Sequence, residues 1–406
     1  MHYNIKMYPW YYAATSFLAW LPVFFLYFSS YLSLKDVLLL EAIYYITVVI
    51  LEVPTGYFSD LVGRKKTLVL GAVFLCLACI FFYIGSGFWS FVIGQIAFAL
   101  HMSLVSGTNT VFHFESLQEL KLDHEYGDRE AYVNKFGMVA GGTSALVGGF
   151  AAYSDLKMAY VVTFVAAIVA LLITLRFEEP KGGKIESNAI RNIFGQLDHT
   201  IRYLRARPIG WIFAYWGILF CVTHVPYEFY QPYLKILSEH GLLFGWSVPI
   251  VSGILYAGAR YAGAIGAAYS MVLSRKFGLV PYFLFNLLMI NLIVFAMGWA
   301  LNSVIILLVL LRSLPYAAIK APVNALLTPR IDSGQRATFH SMMSLTARLS
   351  FFLTLFLLSQ IVDKSELANW SNLSPLLLYC FGGGMLLMIC LWLFARGQFD
   401  NDNDSQ

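Results

Sequence analysis

Between two long apolar stretches the chain reads Gly56-Tyr57-Phe58-Ser59-Asp60-Leu61-Val62-Gly63-Arg64-Lys65-Lys66. This segment brings two glycines, one carboxylate and three cations close to hydrocarbon. Polar groups in such a place are costly unless they pair with one another or with the ends of helices. We therefore expect a tight turn whose charges interact. An ordinary basic loop would explain the cations, but not the glycines or Asp60.

The composition indicates an integral membrane protein. Of the 406 residues, 59% are hydrophobic and only 12% are charged, whereas soluble domains average about 25% charged residues. Apolar runs of about 20 residues, the length that crosses hydrocarbon as a helix, recur along the whole chain. We predict twelve spans, near residues 9–33, 36–58, 67–86, 89–112, 132–154, 158–177, 208–232, 247–271, 279–299, 303–325, 337–361 and 373–395.

The distribution of cations predicts the orientation. With both termini in the cytoplasm, the inner segments hold 19 of the 27 Lys and Arg residues and the outer loops hold four. Cytoplasmic loops of membrane proteins carry such an excess. We expect a multi-pass protein of the cell membrane (the bacterial inner membrane) with both termini cytoplasmic. All five cysteines fall in predicted spans, away from an oxidising outer compartment, so we expect no disulfide.

The chain also predicts its own division. We expect an N-terminal six-helix bundle at residues 1–177, a cytoplasmic linker with an amphipathic helix at 178–207, a C-terminal six-helix bundle at 208–396 and a disordered tail at 397–406. Sliding the chain by 211 residues places Arg64-Lys65 on Arg275-Lys276, with Met271 at the position of Asp60 and Ser274 at that of Gly63. One strong and one decayed copy indicate an internal duplication.

With Glu52-Val53-Pro54-Thr55 before it, the spacing G-x-x-x-D-x-x-G-R-K-K resembles the loop between helices 2 and 3 of major facilitator superfamily transporters, in the drug-exporter-like branch. The resemblance covers essentially the whole chain. It implies an all-α membrane protein with twelve transmembrane helices in two pseudo-symmetric six-helix bundles. It also implies alternating access to one cavity between the bundles, and a cytoplasmic latch in which Asp60 meets the N-terminal end of the eleventh span. The expected latch residues are Glu52, Gly56, Asp60, Gly63, Arg64, Lys65 and Glu115.

Two other spans depart from the family pattern. The fifth span resembles a glycine-rich antiporter motif but has Ser144-Ala145 where that motif has Gly-Pro. We therefore interpret its small residues as sites of close helix packing. The fourth span has Gln95 where exporters usually carry an arginine that is linked to proton coupling. This difference disfavours standard proton antiport.

Ionisable residues inside spans are the default functional candidates, because burying charge is expensive. The substrate-binding candidates are Arg260, Arg312, Arg348, Tyr227 and Tyr230, and the proton-coupling candidates are Glu228 and His101. In one interpretation the arginines form a bidentate receptor for a carboxylate or phosphate. In the other they are partners in internal ion pairs or anchors at the inner surface, which would suit Lys320. A structural role is the alternative for His101, because a lone histidine in the middle of a helix is more often a structural residue.

We expect a secondary active transporter that moves a small organic molecule, with an organic anion favoured and protons as the coupling ion. A proton-driven multidrug exporter of lipophilic compounds is the alternative, and a lipid flippase or transporter-like sensor is the alternative of another class. We find no catalytic constellation, nucleic-acid module or phosphate-binding loop. We therefore expect no enzyme, no cofactor, no metal and no nucleic acid. The expected partners are the substrate, H⁺ and the lipid bilayer, and we expect a monomer.

Overall fold

The computed structural model describes residues 1–181, 208–327, 330–331, 336–362 and 369–395. Most of the predicted linker and the whole predicted tail lie outside these ranges. The described part is helical and contains no β-strand. Its α-helices are α1 His2–Ser16, α2 Phe24–Phe28, α3 Leu34–Val62, α4 Arg64–Ile84, α5 Phe88–Val105, α6 Thr108–Glu119, α7 Tyr126–Ser154, α8 Met158–Leu175, α9 Ile209–Glu239, α10 Val248–Phe277, α11 Leu279–Trp299, α12 Ser303–Ile306, α13 Leu314–Leu327, α14 Arg336–Ile361 and α15 Trp370–Ala395.

The helices confirm the predicted all-α membrane fold. In the described part, 11 helical segments are long and apolar enough to cross a membrane, judged by length and composition. They correspond to the second to twelfth predicted spans. The first predicted span is present as two shorter helices, because α1 ends at Ser16 and α2 begins at Phe24. Our expectation of one continuous helix over residues 9–33 is therefore wrong.

The interruption of the first span is stabilised by contacts inside the protein. Pro22 has no N–H group and cannot continue an α-helix ladder. The backbone N–H of Ala19 instead donates to Oγ1 of Thr163 at 3.0 Å. Ala19 and Val23 are fully buried and Trp20 is nearly so. Irregular backbone at membrane depth is tolerated where it is buried in protein in this way.

The chain forms two compact units. The first contains described residues 1–181 and 246–257, and the second contains 208–245, 258–327 and the described residues beyond, up to 395. In the first unit α4 packs against α3, α5 and α8, while α1 packs against α7 and α8. In the second unit α9 packs against α14 and α15, and α11 packs against α15 and α13. The predicted domain boundaries remain a prediction.

Three glycines of α7 lie very close to atoms of other segments of the chain. A Cβ atom at Gly148 would overlap the carbonyl of Ala19, in the interruption of the first span. A Cβ at Gly149 would lie 2.7 Å from the carbonyl oxygen of Pro249. A Cβ at Gly137 would overlap the Tyr12 ring. Close packing is therefore confirmed at these three positions, whose small size lets backbones approach.

We expect Gly148→Ala to destabilise the protein, because the added methyl group must displace the backbone at Ala19. Overpacking of this kind costs about 1–3 kcal/mol. Gly127→Ala is the matched control in the same helix, since a Cβ there meets nothing within 4 Å. Thermal unfolding in detergent should show a lower midpoint for Gly148→Ala only. Equal midpoints for the two variants would contradict the packing described here.

Candidate functional site

The junction of α3 and α4 is shorter than the sequence predicted. α3 continues to Val62 and α4 begins at Arg64, so only Gly63 is non-helical, with φ +107°. The N–H of Gly63 still donates to the carbonyl of Ser59 at 3.1 Å. The turn lies where it was predicted, but residues 56–62 are the last turns of α3. Their polar side chains therefore project from a helix and not from a loop.

Arg64 lies at the centre of a charge cluster in the first unit. Its Nη1 forms an ion pair with Oδ1 of Asp60, one helical turn earlier. Its Nε lies 3.7 Å from Oε2 of Glu115 on α6, and Nη1 donates to Oγ of Ser59 at 3.0 Å. The Arg64 side chain is only 13% exposed. These contacts bring together Asp60, Arg64 and Glu115, which we call the Arg64 cluster.

Glu179 binds the first turn of α4. Its carboxylate accepts hydrogen bonds from the backbone N–H of Arg64 at 2.6 Å and of Lys65 at 3.0 Å. The first N–H groups of a helix have no partner within that helix, and the helix dipole favours a negative charge there. A Cβ at Gly63 would lie 2.8 Å from this carboxylate. Position 63 therefore requires glycine, because its φ is positive and because Glu179 leaves no room for a Cβ atom.

The segment that carries Glu179 is tied to α1. The Asn4 side chain donates to the carbonyl of Glu178 at 2.8 Å and accepts from its N–H at 2.9 Å. The ammonium group of Met1 donates to the Glu178 carboxylate, which holds the pKa of that carboxyl below its usual value. Sequence reasoning did not find Glu179, because it lies 115 residues from Arg64 and no motif connects them.

The remaining expected latch residues lie around this cluster. Glu52 is two turns before Asp60 on α3, and its Oε1 accepts from Oγ of Ser106 at 3.2 Å. Gly56 is helical, and a Cβ there would meet nothing within 4 Å. Lys65 contributes its backbone N–H to Glu179. The expected contact between Asp60 and the eleventh span stays a prediction.

In the second unit, Arg312 lies against two tyrosines. Its guanidinium carbon is 5.0 Å from the ring centroid of Tyr227 and 5.5 Å from that of Tyr230, both on α9. Arg312 is 6% exposed. It follows the 3-10 helix Leu307–Leu311 and precedes α13, so it lies at an interruption of the tenth span. The structure thus joins three of the five predicted substrate-binding residues, which we call the Arg312 cluster.

The other charged candidates of the second unit lie on three different helices. Glu228 lies on α9 and is 1% exposed. Arg260 lies on α10, and its buried Nε has no hydrogen-bond partner among the residues that the structure describes. Arg348 is half-buried on α14.

The first unit buries a histidine and a carboxyl group. Nδ1 of His101 is 2.8 Å from the carbonyl oxygen of Gly71, and the ring stacks on Phe98. Glu41 is 8% exposed, and its Oε1 accepts a hydrogen bond from Nε2 of Gln95 at 2.8 Å. The pairing of Glu41 with Gln95 was not predicted. The two residues lie 54 positions apart on different spans.

These features define a multi-pass membrane protein with buried charge in each of two helical units. The family model of the Major Facilitator Superfamily matches residues 10–355. The chain therefore belongs to the Major Facilitator Superfamily, and it is a secondary transporter rather than an enzyme. A comparison with curated protein sequences gives no match. Membership implies a small-molecule substrate and a lipid bilayer as partners.

Solved structures show the same fold at low sequence identity. A variant of the nucleoside transporter NupG has a TM-score of 0.82 at 11% identity, over 96% of this chain and 99% of that chain. A D-xylose-proton symporter has a TM-score of 0.67 at 14% identity, over 96% of each chain. A bacterial homologue of the iron transporter ferroportin, in an inward-facing state, has a TM-score of 0.68 at 15% identity, over 96% and 97%. These similarities concern the fold alone.

We expect Gly63→Ala to disrupt the α3–α4 junction, because alanine is strained at this φ and its methyl group would displace Glu179. A non-glycine residue in sparsely populated backbone space costs about 1–3 kcal/mol. Gly56→Ala is the control from the same motif. Thermal unfolding should show a lower midpoint for Gly63→Ala and little change for Gly56→Ala. If both variants lowered the unfolding midpoint equally, the contacts of Gly63 described here would not explain why the motif contains glycine.

Proposed function

We propose that the protein transports small organic anions by alternating access, and that the Arg312 cluster binds the anionic group. The observation that carries this proposal is the buried guanidinium of Arg312 over Tyr227 and Tyr230 at an interruption of the tenth span. Interrupted helices in transporters supply helix ends that contact substrates. The N-terminus of α13 begins at Leu314, two residues after Arg312, and its positive end favours an anion.

The charge balance of the second unit supports an anionic substrate. Away from their ends, its spans hold four cations, Arg260, Arg312, Lys320 and Arg348, against the single carboxylate of Glu228. Of these cations Arg312 is buried, Arg260 and Arg348 are half-buried, and Lys320 is exposed. An arginine binds a carboxylate or phosphate through two parallel hydrogen bonds. The excess of cations therefore favours an acidic substrate over a cationic one.

Proton coupling is part of the proposal, with Glu228 and His101 as the groups that carry protons. Glu228 is a buried carboxyl group inside the seventh span and can carry a proton. When Nδ1 of His101 donates to the Gly71 carbonyl, Nε2 is left able to accept a proton. The Glu41–Gln95 pair adds a third candidate, because its hydrogen-bond donor is a neutral amide.

The Arg64 cluster has a different part in this proposal. We assign the seven latch residues to an electrostatic latch on the cytoplasmic side, which must open in the inward-facing state. Such a latch biases the equilibrium between two conformations and does not touch substrate. The proposal also includes the predicted boundaries of the two bundles, cytoplasmic termini, the bacterial inner membrane and a monomeric state.

A proton-driven exporter of lipophilic drugs is the second candidate function. It is supported by the likeness of the Glu52–Gly56 segment to drug exporters. A cavity of about 540 Å³ between α9, α14 and α15 also supports it, because Phe213, Val225, Leu353 and other apolar side chains line it. Apolar cavities of this size bind drug-sized molecules. The two functions predict opposite preferences between charged and neutral ligands.

We expect Arg312→Ala to weaken binding of carboxylate ligands while leaving the binding of their neutral primary amides unchanged. Arg312→Lys should restore part of the affinity, because lysine keeps the charge but loses the bidentate geometry. The measurement is a thermal-shift screen of the purified protein against matched pairs of carboxylates and amides. Arg275→Ala, at the end of α10, is the control.

Equal losses for acids and amides in Arg312→Ala would show that Arg312 stabilises the fold and does not bind the anion. A wild-type protein that binds neutral lipophilic compounds but no acid of the panel would support the drug exporter. Binding of acids by Arg312→Ala with the wild-type affinity would move the anion site to another cation.

We expect Glu228→Gln to bind substrate but to lose proton movement, because glutamine keeps the size and polarity of the side chain without its ionisable proton. The assay uses proteoliposomes loaded with a pH-sensitive dye and the acid that gives the largest thermal shift. Glu239→Gln at the exposed end of α9 is the control. Substrate-dependent pH changes of wild-type size in Glu228→Gln would exclude Glu228 as the proton carrier.

A further inference from the structure

A polar cavity lies in the second unit, apart from the Arg312 cluster. It has a volume of about 370 Å³ and lies between α9, α13 and α14. On α13 it is lined by Tyr316, Lys320 and Asn324, which follow one another at four-residue spacing. Residues four apart lie on one face of a helix. One face of α13 is therefore turned toward this space, which we call the Lys320 cavity.

Aromatic rings form one wall of the Lys320 cavity. The centroids of the Trp216 and Tyr316 rings are 5.1 Å apart, and those of Phe220 and Tyr316 are 6.1 Å apart at an interplanar angle of 70°. Aromatic pairs pack favourably in such offset and edge-to-face arrangements. The rings of Trp216, Tyr316 and Phe220 form an apolar surface. A planar ring of a ligand can pack against it edge-on or offset.

The other side of the cavity offers hydrogen-bond donors. The polar side chains there are Lys320 and Asn324 on α13 and Ser344 on α14. None of the three forms a hydrogen bond or an ion pair with any residue in the described ranges. An ammonium, an amide and a hydroxyl group together match the acceptors of a carboxylate. Lys320 and Asn324 are exposed, and Ser344 is half-buried.

We propose that the Lys320 cavity is a subsite for an aromatic carboxylate with a single planar ring. The ring lies against Trp216, Tyr316 and Phe220, and the carboxylate contacts Lys320 with Asn324 and Ser344 as further donors. The volume lies at the small end of ligand pockets, which span about 300–1,000 Å³, and is large enough for a ligand of the size of benzoate. This inference rests on the proposed function, and it narrows the substrate class to aromatic acids.

A row of rings connects the subsite to the Arg312 cluster. Phe220 stacks on His224 with centroids 3.8 Å apart, and His224 lies 5.9 Å from Tyr227. Tyr227 is the ring beneath Arg312. An aromatic acid can therefore contact rings continuously from Lys320 to Arg312. The two cations lie eight residues apart, at opposite ends of this row.

The test is equilibrium dialysis of the purified full chain with radiolabelled benzoate, with benzamide and acetate as matched ligands. We expect benzoate to bind better than either one, because benzamide lacks the charge and acetate lacks the ring. Lys320→Gln should weaken benzoate binding by about tenfold or more, since a charge-assisted hydrogen bond is lost. Lys320→Arg should restore most of it, and Lys235→Ala on α9 should change nothing.

Two further variants separate this inference from the proposed function. Trp216→Ala should weaken benzoate binding and leave acetate binding unchanged. Arg312→Ala should leave part of the benzoate binding in place, because the Lys320 cavity remains. Thermal unfolding of every variant establishes that it is folded.

Each result decides one of the two ideas. If Lys320→Gln binds benzoate as wild type while Arg312→Ala does not, the subsite is excluded and the anion transporter stands. If the wild type binds succinate through Arg312 but no aromatic acid, the aromatic class is excluded alone. If the wild type binds none of these organic acids, the subsite and the proposed function both fail.

Discussion

The structure depends on one constraint, which is that backbone polar groups in hydrocarbon must find partners inside the protein. A long α-helix pairs its own backbone N–H and C=O groups. Where a helix is interrupted, the unpaired groups need partners from elsewhere in the chain. Thr163 binds the backbone at Ala19, and Glu179 binds the backbone after Gly63. Arg312 lies at the third interruption, where its buried guanidinium contacts α9. Polar and charged side chains therefore lie at these three helix interruptions.

The fold could be predicted from the sequence because its determinants are local. Apolar length, low charge and the Gly56–Lys66 segment are all read along the chain. The Asp60–Arg64 pair could be predicted for the same reason, since the two residues lie only four positions apart, on either side of the turn at Gly63. The contact of Glu179 with Arg64 and the Glu41–Gln95 pair could not be predicted, because the residues that meet are 115 and 54 positions apart. The interruption of the first span was missed because its residues remain apolar, and only Pro22 marks it.

The predicted second copy of the junction differs from the first. In the second copy, α10 ends at Phe277 and α11 begins at Leu279, with Gly278 between them at φ +82°. This glycine lies four residues beyond Ser274, the position that the repeat equates with Gly63. Arg275 and Lys276 therefore lie in the last turn of α10, where cations complement the helix dipole. Arg64 instead begins α4, where a cation is unfavourable without the carboxylates of Asp60, Glu115 and Glu179.

The surroundings of Arg312 suit a site that must bind and then release an anion. A carboxylate partner cancels the charge of a guanidinium, whereas an aromatic face attracts it through a quadrupole and leaves its net charge in place. Tyr227 and Tyr230 contact the Arg312 guanidinium in this way. A transporter must also release its substrate, so its affinity for the substrate must differ between the conformational states. Contacts with two rings suit this demand, because the rings themselves add no negative charge that would compete with an anion.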